Sequence, residues 1–95
     1  MATYIVFTRE RILDQAEMDT YSQSVGETFK GHPIKILAAY GAQENLEGEG
    51  PDGVVIVEFP DKAAALAWYD GADYKRVREH RFKGAAYRAT LVEGL

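Results

Sequence analysis

The sequence predicts an α+β fold in which one four-stranded antiparallel sheet carries helices on a single face. Three observations predict it. Short segments rich in β-branched and aromatic residues alternate with helix-favouring segments, in the order strand, helix, strand, strand, helix pair, strand. The hairpin from His32 to Pro60 contains two strands that are apolar on both faces, whereas a sheet wetted on one side alternates apolar with polar residues. A chain of 95 residues is long enough for one such domain and no more, so residues 1–95 are read as a single domain.

The first strand is Thr3 to Arg9, TYIVFTR, with Tyr4, Val6 and Thr8 on one face and Ile5, Phe7 and Arg9 on the other. Asp14 opens a helix, with Glu17 at capping-box spacing. Met18, Tyr21, Val25 and Phe29 then form one apolar stripe, which Gly31 and Pro33 stop. The second strand runs from about Ile34 to Gly41, with Ile34, Ile36, Ala38 and Tyr40 on one face and Lys35, Leu37 and Ala39 on the other. The third is Val54 to Phe59. Asp61 caps a helix over KAAALAWYD, whose stripe is Ala64, Ala67 and Trp68; Gly71 breaks it. A further helix from Asp73 to Phe82 places Tyr74, Val77 and Arg81 on one side, Gly84 ends it, and Tyr87 to Val92 is the fourth strand.

This order is the split β-α-β pattern of a ferredoxin-like sandwich. Its helices cover one sheet face, so apolar residues on both faces predict a second copy against the other: a homodimer through the sheet faces. The totals agree. A domain of this size buries only roughly 60–70% of its unfolded surface, and with no Cys there is no disulfide or thiolate-bound metal to offset that. The absence of Cys fits a reducing compartment, and the expected location is the cytoplasm. The first residues, MATYIVFTRE, lack the pattern of a signal peptide, and no apolar run approaches the ~20 residues of a membrane span. A net charge of −4 opposes general nucleic-acid binding, where phosphate neutralisation supplies most of the affinity.

The run Glu44-x-Leu46-Glu47-Gly48, then Val55-Ile56-Val57-Glu58-Phe59-Pro60, then Ala67-Trp68-Tyr69 and Asp73-Tyr74, resembles the domain of unknown function 1330 family along essentially the whole chain. The resemblance implies a ferredoxin-like dimer of the dimeric α+β barrel group and no established activity. The wider group includes cofactor-free monooxygenases, haem-dependent enzymes and isomerases. Many members of the family have Ser-Pro-Glu-Tyr where this chain has Gly71-Ala72-Asp73-Tyr74, and Arg-Gly-Gly where it has Ala39-Tyr40-Gly41. Nothing tied to that arginine is therefore carried over.

Candidate chemistry is sparse. Gly48-Glu49-Gly50-Pro51-Asp52-Gly53 matches the dinucleotide fingerprint in letters, yet it precedes a strand, contains Pro and brings carboxylates towards where phosphate would sit, so it reads as a loop. Glu44, Glu47, Glu49 and Asp52 lack the ligand order of a calcium loop, and two histidines without metal-ligand spacing make no metal site. No cofactor is expected, haem included, since neither histidine has an apolar setting. His80, His32 and Tyr40 are the catalytic candidates; Trp68, Tyr69 and Tyr40 are the pocket walls, and Arg78 and Arg81 the carboxylate clamps. Tyr21 is further wall material. Ser22 and Ser24 have no base nearby. The expected function is to bind or transform a small acidic or aromatic molecule in a cleft between sheet and helices, with cofactor-free oxygenation or isomerisation as the chemistry that fold analogy offers; the alternative is a non-catalytic dimeric interaction module.

Overall fold

A computed structural model describes residues 1–95. Its elements are β1 (Thr3–Ile12), α1 (Gln15–Ser24) running into a 3-10 turn (Val25–Phe29), β2 (Lys35–Ala39), β3 (Gly53–Phe59), α2 (Lys62–Tyr69), α3 (Ala72–Gly84) and β4 (Ala85–Glu93). The strands form one antiparallel sheet in the order β2-β3-β1-β4. Each helical crossover skips one strand: β1 to β2 passes over β3, and β3 to β4 passes over β1. That is the ferredoxin-like arrangement. No helix is long and apolar enough to cross a membrane.

Local chemistry sets the helix boundaries. The Asp14 carboxylate accepts from the Ala16 and Glu17 amides at 3.0 and 3.3 Å, and Asp61 accepts from Ala64 N at 2.8 Å, so both starts are capped. Glu17 does not complete a capping box; its carboxylate turns to His80 instead. Past Ser24 the first helix tightens into the 3-10 turn, and Gly31, at φ 78°, takes the left-handed conformation that ends it. In α2 the buried positions are Ala65 and Trp68, with Ala67 exposed, so the stripe lies one residue from where the sequence places it. Two helical turns leave Trp68, the largest side chain, to set the rotation. In α3, Tyr74, Val77 and Arg81 are all buried.

Those helices lie on one face of the sheet. Ile5, Phe7, Val57 and Phe59 point into the core beneath them, with exposures of 1–4%. Trp68 sits at the centre, stacked on Tyr74 (centroids 4.0 Å, 29°), tilted against Phe59 and edge-on to Phe7. Such pairs contribute about 0.5–1.5 kcal/mol each beyond the area they bury. On the opposite face, cross-strand neighbours Tyr4, Val6, Val54 and Ile56 are only half-buried, and no other element covers them.

Two bulges adjust the register. One in β1, between Arg9 and Arg11, lets the strand continue to Ile12, beyond the expected end at Arg9, and pair with Ala85. The other, between Ile36 and Ala38, inserts Leu37 as an extra residue in β2. Strict alternation puts Ile36 and Ala38 on one face and Ala39 on the other. The bulge instead turns Ile36 and Ala39 both towards the helices, paired with Val57 and Val55.

Candidate functional site

The β2 bulge, the 3-10 turn and the edge of the Trp68 cluster do not fill the space between them. They leave a cavity of about 140 Å³ whose lining is wholly apolar or aromatic: Phe7 and Tyr21, Val25 and Phe29, Ile36, Ala39 and Tyr40, Val55 and Val57, Trp68, and Tyr87. Ile36 and Tyr40, 48% and 41% exposed, mark its mouth at the β2 edge. The volume is below the 300 Å³ or more of a drug-sized ligand site, but an apolar cavity of about 150 Å³ takes up a benzene ring.

Tyr40 is the most constrained residue of the wall. It is the one non-glycine residue with positive φ, 55°. Such backbone strain persists only where surrounding contacts over-determine it. Here the Tyr40 amide donates to Val54 O at 2.9 Å, the Arg9 guanidinium lies 4.7 Å from the ring centroid, and the phenol is hydrogen-bonded to that of Tyr87. The ring also needs Gly53 beneath it, because a Cβ there would fall 2.7 Å from Tyr40 Cδ1. Arg9 is fixed in turn by Asp52, its Nε donating to the carboxylate at 2.6 Å. The Gly-rich loop thus serves as a strut behind Tyr40, with Gln43 tying it to Pro51 O at 2.6 Å.

A second phenol pair, Tyr21 and Tyr74, is hydrogen-bonded at 2.7 Å in the core. Burial raises the pKa of Tyr21, Tyr40 and Tyr74 above the ordinary phenol value, and the hydrogen bond to Tyr87 adds to the shift at Tyr40. These hydroxyls are neutral donors and acceptors at physiological pH, not bases.

The other sequence candidates are dispersed. Trp68 is 2% exposed; one edge of it reaches the cavity, and its indole N–H donates to Thr28 Oγ1 at 3.1 Å. Tyr69 lies on the far side of Trp68 and lines a separate groove at the β4 edge with Arg81. Arg78 stacks on Tyr69 at 4.5 Å and donates to its carbonyl at 3.0 Å, a contact that fixes the end of α2. Arg81 is 3% exposed among the rings of Phe7, Phe82 and Tyr87. His80 donates through Nδ1 to Glu17 at 2.5 Å, joining α3 to α1, and lines an open polar cleft with Asp73 and Arg76, away from the aromatic cavity. His32 sits in the turn before β2, its carbonyl accepting from Ile34 N. His, Asp and Glu side chains nowhere gather in threes that could hold a metal.

Sequence reasoning missed Arg9 and Tyr87 as partners of Tyr40. The signal lay in the pairing of β1 with β4, which sets Arg9 opposite Tyr87 on the helix-covered face. It needs the strand register, which no single segment contains.

A family described as Domain of unknown function (DUF1330) matches residues 2–95. None of the curated proteins compared with the chain matches it. Among solved structures, a protein of unknown function from Rhodopseudomonas palustris superposes with a TM-score of 0.78 at 18% identity, covering 99% of this chain and 82% of that one. A dimeric ferredoxin-like protein of unknown function from Bacteroides fragilis gives 0.66 at 10% identity, covering 98% and 96%. SnoaB, a cofactor-independent oxygenase from Streptomyces nogalater, gives 0.58 at 12% identity, covering 99% and 92%. At these identities the likeness is one of fold.

Proposed function

The chain belongs to the DUF1330 family, and on that premise we propose that it is a homodimer, joined through its bare sheet faces, that holds a small aromatic molecule in the cavity between sheet and helices. The observation that carries the reading is the cavity itself. A chain of this size has little reason to strain Tyr40 around an unfilled apolar space, since such voids forfeit packing. The lining suits one aromatic ring, and the Tyr40–Tyr87 pair offers it a neutral hydrogen-bonding group.

The dimer is supported by the half-buried outer residues Tyr4, Val6, Val54 and Ile56, and by neighbours described as dimeric. Cofactor-free oxygenation, named for the Streptomyces neighbour, comes to this chain by fold likeness alone, and the binding reading does not depend on it. A second reading, a dimeric module without a ligand, draws on the burial of Trp68 and on a volume below that of ordinary ligand sites.

Thermal shift with phenol separates the two, because a molecule that binds only the folded state raises Tm. The binding reading expects a saturable rise that Ala39→Phe, which fills the cavity, removes. A Tm indifferent to phenol at millimolar concentration favours the module.

A further inference from the structure

On the β4 side of Trp68 a second, open groove of about 450 Å³ runs between α3 and the edge strand. Seven of its eight lining residues are hydrophobic, including Leu13, Tyr69, Phe82, Tyr87 and Ala89, and the eighth is Arg81. This arginine is 3% exposed, and its Nε is buried with no hydrogen-bond partner. The two next most shielded arginines each have an acid, Arg9 with Asp52 and Arg78 with Asp70, although the Nε of Arg78 is likewise without a partner. Arg81 has no carboxylate within ion-pair distance. The Tyr74 hydroxyl, shared with Tyr21, lies beside the guanidinium as a neutral acceptor and leaves its charge without a counter-ion.

A guanidinium does not lose its charge in a protein, so burial leaves it seeking an anion. The rings of Phe7, Phe82 and Tyr87, with centroids 5.0–5.3 Å from its Cζ, offset part of the desolvation, but they accept none of its N–H groups. The volume lies within the range of small-molecule sites, and an apolar trough with one charged group is how such sites orient a ligand. We propose that the β4 groove is a carboxylate-binding site in which Arg81 receives the acid group of a small, otherwise apolar molecule. A carboxylate fits better than a phosphate, because one planar guanidinium pairs with its two oxygens and no second cation lines the groove.

The groove and the aromatic cavity share only Tyr87 in their linings, and each can fail alone. Benzoate and benzamide are near-isosteric and differ in charge. Titrated into the intact protein and followed by ¹H–¹⁵N correlation spectra, benzoate is expected to bind at least about tenfold more tightly than benzamide. Its shifts should centre on the amides of Phe82, Ala86 and Ala89, not on those of Ile36 and Val55, which report the cavity. Arg81→Met should bring the two ligands within twofold of each other. Ala89→Phe narrows the groove with Arg81 in place and should weaken benzoate, which keeps the test decisive if Arg81→Met does not fold. Ala39→Phe should leave the preference for benzoate unchanged. Equal binding of the two ligands, a preference that survives Arg81→Met, a benzoate affinity unchanged by Ala89→Phe, or shifts confined to the cavity would overturn the proposal.

Discussion

On one face of the sheet, Ile5, Phe7, Val57 and Phe59 are sealed beneath Trp68 and Tyr74; on the other, Tyr4, Val6, Val54 and Ile56 lie half-buried with no element above them. The two sets come from alternate positions of the same strands and differ little in apolar character. What differs is the shape of what meets them. Three helices and a 3-10 turn are curved, and they cannot tile a sheet completely, so the covered face keeps a cavity at its β2 end and a groove at its β4 end. A second sheet with the same twist is a partner of matching shape and suits the bare face. On the proposed reading, ligand binding belongs to the covered face and assembly to the bare one.

The largest expected effect tests whether the two faces differ in energy. Phe59, 1% exposed, should cost about 3–5 kcal/mol on substitution by Ala in urea unfolding. Tyr4→Ala, one register step away on the bare face, should lower stability far less at low protein concentration and make Tm more dependent on concentration. Comparable, concentration-independent losses would remove the distinction.

A second experiment addresses the bare face alone. Val6 lies in the middle of β1, opposite Ile56 and Thr90. Val6→Lys should leave circular dichroism unchanged and convert a dimer to a monomer by size-exclusion chromatography with light scattering. A wild-type chain that is monomeric at micromolar concentration contradicts the assembly.

A smaller effect reports on the covered face through pH. Tyr21, Tyr40 and Tyr74 have pKa values raised in the folded state above the ordinary phenol value of 10.0. Above that pH the unfolded chain loses phenol protons that the folded chain keeps, so stability is fully present below about pH 10 and falls as pH rises further. Tm should decline beyond that point, and Tyr21→Phe should flatten the decline, at the cost of about 0.5–1.5 kcal/mol for the lost hydrogen bond to Tyr74.

Much of this was legible in the sequence. Element order, both aspartate caps and the buried face of α3 follow from local patterns, because caps and helical periodicity act within a few residues. The apolarity of both sheet faces was legible for the same reason. The site was not. Tyr40 stood out at the strand end, but its positive φ, its pairing with Tyr87 and the Arg9–Asp52 strut depend on register between strands far apart in sequence. Leu37 shows the difficulty: a one-residue bulge re-aims Ala39 into the cavity, and nothing in KILAA marks it. Arg81 shows the opposite case, where helical spacing placed it inside but could not reveal that no acid would meet it there.

The most direct test of the binding reading is a crystal structure of the protein grown with saturating phenol. The account predicts a ring in the cavity between Phe7, Val55 and Trp68, with its hydroxyl at the Tyr40–Tyr87 pair and Tyr40 still at positive φ. A cavity closed by its own side chains, with phenol absent from it, would contradict that account.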